Sequence, residues 1–232
     1  MVLKSIKIKY KTLIKEQRWD IDYHLPTVEV KKYNTDILTE IRNCADVITD
    51  KRNPTLEPDK EFIYIDISSV DITTGIITNP QELLGEEAPS RARKVVRAGD
   101  IIISTCRPTR GAIAIVPDEL DNQICSTGFS IIRAKTGVNN QYLHFILRSA
   151  LVKEQFRKFS TGSSYPAILD SDVEKTIIPL PSEPEQATIA KKVKEQTDIR
   201  NKKIFKANKI WNDSLNECLF DIQKMKIRTS TK

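Results

Sequence analysis

The spacing of apolar positions changes several times along the chain, and each change marks a predicted element. Ile6 and Ile8 alternate with lysine in residues 5–14, the period of a half-buried strand. Residues 19–26 (WDIDYHLP) make a turn-rich aromatic segment. Across residues 36–44, Ile37, Leu38 and Ile41 fall at helical spacing, with Thr35 or Asp36 placed to cap the helix. Residues 45–59 predict a loop punctuated by Pro54 and Pro58. The pattern then becomes β-rich. Strands are predicted over residues 62–67, over 70–77 with a Thr74-Gly75 turn, at Val95 and Val96, and over 101–104, 111–116 and 129–133. Few helices separate them, which predicts a mixed α+β (α/β) globular domain with a short twisted or partly barrel-like β-sheet.

Residues 140–159 change to a helical period, with Tyr142, Leu143, Ile146, Leu147 and Phe156 on one face. Arg148, Lys153, Arg157 and Lys158 lie mainly elsewhere around that helix. A short strand at residues 176–178 leads into a proline-stiffened joint (Pro179, Pro181, Pro184), and a helix follows from Glu185 to about Met225. Its second half places Ile204, Asn208, Trp211, Leu215, Cys218 and Ile222 at alternating steps of four and three. That spacing is the seam of a coiled coil, with Asn208 as the polar position that sets register. The expected organisation is a globular domain over residues 1–182, a long helix over 183–226 and a tail over 227–232. About 40 helical residues would extend about 60 Å, which favours a projecting helix that pairs over one folded back on its own domain.

Composition narrows the chemistry. The chain has 232 residues, 39% hydrophobic and 29% charged, with a net charge of +6 and a pI near 9.0. This mild basic excess suits an acidic partner such as DNA. No apolar run reaches the ~20 residues of a membrane span, and lysine and glutamate interrupt the N-terminal apolar positions, so a cytoplasmic location is expected. The four cysteines and two histidines are scattered without metal-ligand spacing, so no metal site and no cofactor are expected. No phosphate-binding glycine loop, base-gripping motif or nucleophile pair is present, which argues against a catalyst. Asp22 with Glu29-Val30-Lys31 only loosely mimics a metal nuclease.

Three loops have the composition of nucleic-acid contacts, and a fourth is weaker. Residues 90–97 (SRARKVVR) interleave Arg91, Arg93, Lys94 and Arg97 with small residues, allowing close approach to phosphate. Residues 105–111 (TCRPTRG) set Thr105, Arg107 and Arg110 on a proline-stiffened loop, where a guanidinium can meet guanine O6 and N7. Thr161, Gly162, Ser163, Ser164 and Tyr165 offer hydroxyls, a glycine backbone and a ring for phosphate positioning or an apolar base contact. Ser126 and Thr127, ahead of Gly128, form the weaker element.

Several segments in collinear order resemble the DNA-specificity subunits of type I restriction-modification systems. They are RWDIDYHLP, AGDIIISTCRPTRGAIAIVP, NNQYLHFILRS and the loop, IPLP strand and EQ-containing helix start within residues 160–190. The resemblance implies a non-catalytic host-defence protein whose target-recognition domain reads one half of a bipartite site in double-stranded DNA. Its helical region would bind DNA adenine methyltransferase subunits and, through them, restriction subunits. Such a subunit usually carries two recognition domains and two long helices, whereas this chain has one of each. It is therefore expected either to be a half-subunit that homodimerises, or meets a second specificity half, through the helix, or to be a piece of a longer protein. A coiled-coil interaction module and the recognition piece of a fused methyltransferase-nuclease are the alternatives.

Overall fold

The computed structural model describes residues 7–229 apart from Pro26, Val28 and Ser163; the side chains of Asp22 and of residues 223–229 lie outside the description. The chain divides into two units, Met1–Ala187 and Thr188–Lys232.

The first unit opens with helices α1 (Tyr10–Glu16) and α2 (Ile21–His24). The strand expected over residues 5–14 is therefore corrected within the described residues. Tyr10, Leu13 and Ile14 share an i, i+3, i+4 face, and Gln17 closes α1 in the left-handed region at φ 51°. Next come β1 (Leu38–Glu40), α3 (Ile41–Cys44) and β2 (Ala45–Ile48). These replace the single helix expected over residues 36–44 and part of the loop expected over 45–59. Leu38–Glu40 pairs antiparallel with β12 (Ile177–Pro179), far away in sequence, so tertiary pairing overrides the local helical spacing. Asn34, rather than Thr35 or Asp36, caps the preceding 3-10 turn by accepting from the Asp36 N–H.

The β-rich region contains β3 (Glu61–Ile65), β4 (Val70–Asp71), β5 (Ile76–Ile77), β6 (Gln81–Leu84), β7 (Ala92–Val95), β8 (Ile101–Ser104), β9 (Ile113–Ile115), β10 (Ile124–Ser126) and β11 (Phe129–Ala134). Two four-stranded sheets form, ordered β6-β3-β10-β7 and β2-β11-β8-β9. Only β10 and β3 run parallel among the named strand pairs of these sheets. At one edge the chain leaving β2 crosses over to pair with β7, through Arg52 N to Arg93 O and Val95 N to Asp50 O, both 2.9 Å. This crossing gives the partly barrel-like closure expected from the strand spacing. The core lies between the sheets, taking Ile65 and Cys125 from one and Ile102, Ala114, Phe129 and Ile131 from the other. All four residues of β8 are buried, which explains an Ile-Ile-Ile run with no polar alternation.

The Gly99-Asp100 turn enters β8 with Gly99 at φ 84°, a conformation open to glycine. Asp100 is fully buried, and its carboxylate accepts from the Arg97 N–H (2.8 Å) and from Arg133 Nε and Nη2 (2.7 and 2.9 Å). This satisfies a charge that burial would otherwise make costly.

The helix expected over residues 140–159 is two helices, α4 (Asn140–Leu147) and α5 (Ala150–Phe159). Asn139 caps the first and Ser149 the second, so the break follows from a capping side chain inside an apparently continuous period. Lys158 does not join the outer basic face; it is buried, and its ammonium donates to the Leu25 carbonyl. Gln155 completes the packing in an unusual way. Its Oε1 accepts from Ile177 N (2.8 Å) and its Nε2 donates to Ile177 O (2.7 Å), so a side-chain amide pairs with β12 as a neighbouring strand would.

After α6 (Asp170–Glu174) and β12, helix α7 (Glu183–Thr229) begins where Glu185 reaches back to Ser182. Ser182 N and Oγ both donate to Glu185 Oε2, at 3.0 and 2.6 Å, and these bonds hold the Glu185 carboxyl below its ordinary pKa. Residues 227–229, expected as tail, continue this helix, and 230–232 lie outside the described residues.

Gln155→Leu should lower unfolding free energy by about 2–4 kcal/mol, because two backbone groups of Ile177 lose their partner. A shift in the denaturant midpoint at unchanged slope is the measurement. His144 gives a pH test. Burial pushes its imidazole down to about 4 while Nε2 lies 3.1 Å from Ile113 O. From about pH 6.5 down to 4 the unfolded chain takes up this proton and the folded chain does not. Stability should therefore fall across that window by about 2–3 kcal/mol, and His144→Gln should flatten the slope.

Candidate nucleic-acid interface

Strand direction gathers most of the predicted contact loops at one end of the first unit. The end of β8, the β10–β11 turn and the start of β7 are neighbours there, since Phe129 pairs with Ser104 and Ser126 with Ala92. Backbone hydrogen bonds then sew the loops together. Thr127 N donates to Arg91 O, and Thr105 N donates to Gly128 O (2.9 and 2.8 Å). Ile168 N donates to Thr105 O and Arg107 N to Pro166 O (3.0 and 2.7 Å), which brings in the loop over residues 161–167. That loop closes on itself through reciprocal 2.9 Å bonds between Thr161 and Ala167.

Arg107 is the hinge of this assembly. It sits at φ 49°, ψ 52°, a left-handed conformation that a non-glycine residue adopts at a cost, and Pro108–Arg110 follow as a 3-10 turn closed by Gly111 at φ 78°. Its guanidinium carbon lies 4.9 Å from the centroid of the Tyr165 ring, a cation–π contact that ties two loops far apart in sequence. Tyr165 is 71% exposed, and Arg110, Thr127, Arg91, Thr161, Gly162 and Ser164 are exposed as well. Gly162 turns at φ 91°. Ser163 lies outside the described residues.

Four of the predicted residues are placed otherwise. Lys94 points inward: it is 8% exposed, its Nζ donates to Phe129 O (2.7 Å) and lies 3.5 Å from Asp170 Oδ2. Strand alternation across β7 explains this, since a residue between Arg93 and Val95 must face one side of the sheet. Ser126 is fully buried and its hydroxyl accepts from Gly128 N. Thr105 is half-buried, with its hydroxyl donating to Gly128 O (2.9 Å). Arg97 stands at the opposite ends of the strands, 3.8 Å from Asp121. Arg93 remains near the surface but donates to Pro89 O and Ala92 O.

Sequence reasoning missed two contributions. Lys153 on α5 arches over Gly111, whose Cβ would stand 3.1 Å from Lys153 Nζ, so a third cation flanks Arg107 and Arg110. Only the packing of α5 on the 3-10 turn reveals it. An apolar groove, including Ile67, Val70, Ile72 and Ala112, also opens beside Arg107, Arg110 and Tyr165. Among the described residues no group of three or more His, Cys, Asp or Glu side chains is placed to hold a metal ion, and Glu29 pairs with Lys32 at 2.6 Å.

A model of the type I restriction modification DNA specificity domain matches residues 40–212. The chain belongs to this family. The specificity subunit of the type I restriction enzyme HindI of Haemophilus influenzae is 30% identical over 128 residues, covering 52% of this chain and 28% of that protein. The crystal structure of the HsdS subunit from Thermoanaerobacter tengcongensis is 43% identical, with a TM-score of 0.64 over 71% of this chain and 43% of that one. A second solved chain, from work on complex assembly and conformational transition of the type I R-M system, is 41% identical with a TM-score of 0.66, covering 74% and 44%. The specificity-domain chain thus spans less than half the length of each of these relatives.

Within this specificity domain other segments act as scaffold. Arg18, from RWDIDYHLP, donates to Lys158 O and Phe159 O (2.9 and 2.8 Å), capping the C-terminus of α5 just before the 161–167 loop. It is held by Asp20 through two bonds and lies over the Tyr23 ring. On α7, Ile204, Asn208, Trp211, Leu215, Cys218 and Ile222 are all exposed. No helix among the described residues is long and apolar enough to cross a membrane.

Arg18→Ala should release the end of α5 and raise amide exchange at Thr161 and Ala167 about tenfold, the effect of losing a charge-assisted hydrogen bond. Mass-resolved hydrogen exchange measures it, with β8 amides as the unchanged reference.

Proposed function

We propose that this chain is the sequence-reading half of a type I DNA-specificity subunit, non-catalytic and cytoplasmic. Arg107, Arg110 and Tyr165 read base edges in double-stranded DNA, while Arg91, Thr127, Lys153 and the exposed residues of the 161–165 loop hold the phosphate backbone. The observation that carries this reading is Arg107. A strained backbone, a bond to Pro166 O and the Tyr165 ring hold its guanidinium at an exposed, cation-rich loop cluster. Fixing a bidentate donor before contact reduces the entropy lost on binding. Lys94, Ser126, Thr105 and Arg97 are left out of the contact set for the reasons given above.

In the same proposal residues 1–182 form the recognition domain and residues 183–226 form the helix for dimerisation and methyltransferase docking. Exposed Ile204, Trp211, Leu215 and Ile222 support a pairing role, since a helix gains little stability from exposed apolar side chains. Modification and cleavage would belong to adenine methyltransferase and restriction subunits.

Binding of the purified chain, with any subunits that accompany it, to duplex DNA across a salt series tests the reading. Affinity for the selected site should exceed that for random duplex and fall steeply with salt. Arg107→Ala or Arg110→Ala should cost about 1–3 kcal/mol at the preferred site and relax one base pair, while Arg91→Ala should weaken all sequences alike and reduce the salt slope by about one. Unchanged base preference in both loop variants would overturn the assignment of that loop.

A further inference from the structure

The apolar groove beside the arginine loop borders the hydrophobic core, and its construction points to a particular base. Its floor includes buried Val70 and Ala112. Ile67 and Ile72 form its walls, and the rim carries Arg107, Arg110 and Tyr165. Ile72 is 53% exposed yet rigidly presented. Asp71 braces its turn by accepting from Thr73 N (2.7 Å) and Thr74 Oγ1 (2.8 Å). Arg148 grips the same turn from the C-terminal cap of α4, donating to the carbonyls of Ile72, Thr73 and Thr74 at 3.2, 2.8 and 2.8 Å. On the other wall the Ile67 side chain reaches Gly128, whose Cβ would stand 2.9 Å from Ile67 Cδ1. Ile72 is thus held open to solvent by a bonded turn, and Ile67, half-buried against the core, faces it next to two guanidinium groups.

Duplex DNA offers one hydrophobic protrusion in its major groove, the thymine C5-methyl, beside the guanine acceptors that arginine prefers. Building on the DNA-reading function proposed above, we propose that the Ile67–Ile72 groove takes a thymine methyl, adjacent to a guanine contacted by Arg107 or Arg110. Charge selects the occupant: cations on the rim draw a phosphate-bearing ligand, and an apolar floor then rewards its methylated base.

The test needs no variant that endangers folding. The full chain, recovered from its source cells with its bound subunits, is used to select from two random duplex pools, one made with thymidine and one with deoxyuridine. The expected result is an enriched site with a thymine whose replacement by deoxyuridine weakens binding about fourfold or more, the value of burying one methyl group. Ile72→Ala, checked for an unchanged melting temperature, should remove that discrimination and keep the guanine preference. A site equally tight with thymine and deoxyuridine at every position would overturn the groove assignment while leaving the DNA-reading proposal standing. No enrichment from either pool would overturn both.

Discussion

The proposed recognition surface depends on a short run of main-chain hydrogen bonds between residues 105–107 and 166–168. Ile168 N to Thr105 O and Arg107 N to Pro166 O fasten a loop that follows α5 onto a loop that follows β8. Without them the Tyr165 ring has no reason to meet Arg107, and the arginine has no second restraint on its left-handed backbone. Backbone bonds are indifferent to side chains. The framework can therefore hold different residues at positions 110 and 165, which suits the DNA-reading role proposed for them.

Support for that framework comes from buried polar groups that imitate main chain. Gln155 pairs with Ile177 as a strand would, and Gln186 does similar work at the start of α7, accepting from Asn139 N (2.9 Å) and donating to Pro181 O (2.8 Å). Tyr142 adds a bond from its hydroxyl to Pro179 O (2.7 Å). Each fixes an element end by satisfying groups that burial would leave orphaned. Together with Arg18 and Asp100, they form the frame that carries the loops with the proposed DNA contacts.

This division explains how far the sequence could be read. The buried run Ile101–Ser104 was legible because burial alone dictates it, and the long helix α7 because helical spacing persists over many turns. The split between α4 and α5 was hidden, since Ser149 caps a helix without interrupting the apolar spacing. β1 was hidden for a different reason: its partner β12 lies far along the chain, and local spacing carries no trace of a distant pairing. Arginine-rich composition picked out loops that the fold brings together but could not separate an exposed guanidinium from a buried ammonium. Lys94 and Arg91 look alike in SRARKVVR, and only the alternation of β7 sends one inward to Phe129 O.

The groove beside Arg107 shows the same limit from the opposite side. Ile67 and Ile72 belong to a segment whose spacing predicts ordinary strands, and each alone is an unremarkable surface isoleucine. Ile72 gains meaning from Asp71 and Arg148, which hold its turn in place, and Ile67 from Gly128, against which it packs at the edge of the core. A scaffold that spends three arginine hydrogen bonds on one exposed turn is keeping an apolar surface available. Guanidinium groups supply direction for a polar base edge, and the isoleucines supply a complementary surface that water cannot satisfy. A base pair differing by one methyl group can then be distinguished without any additional polar contact.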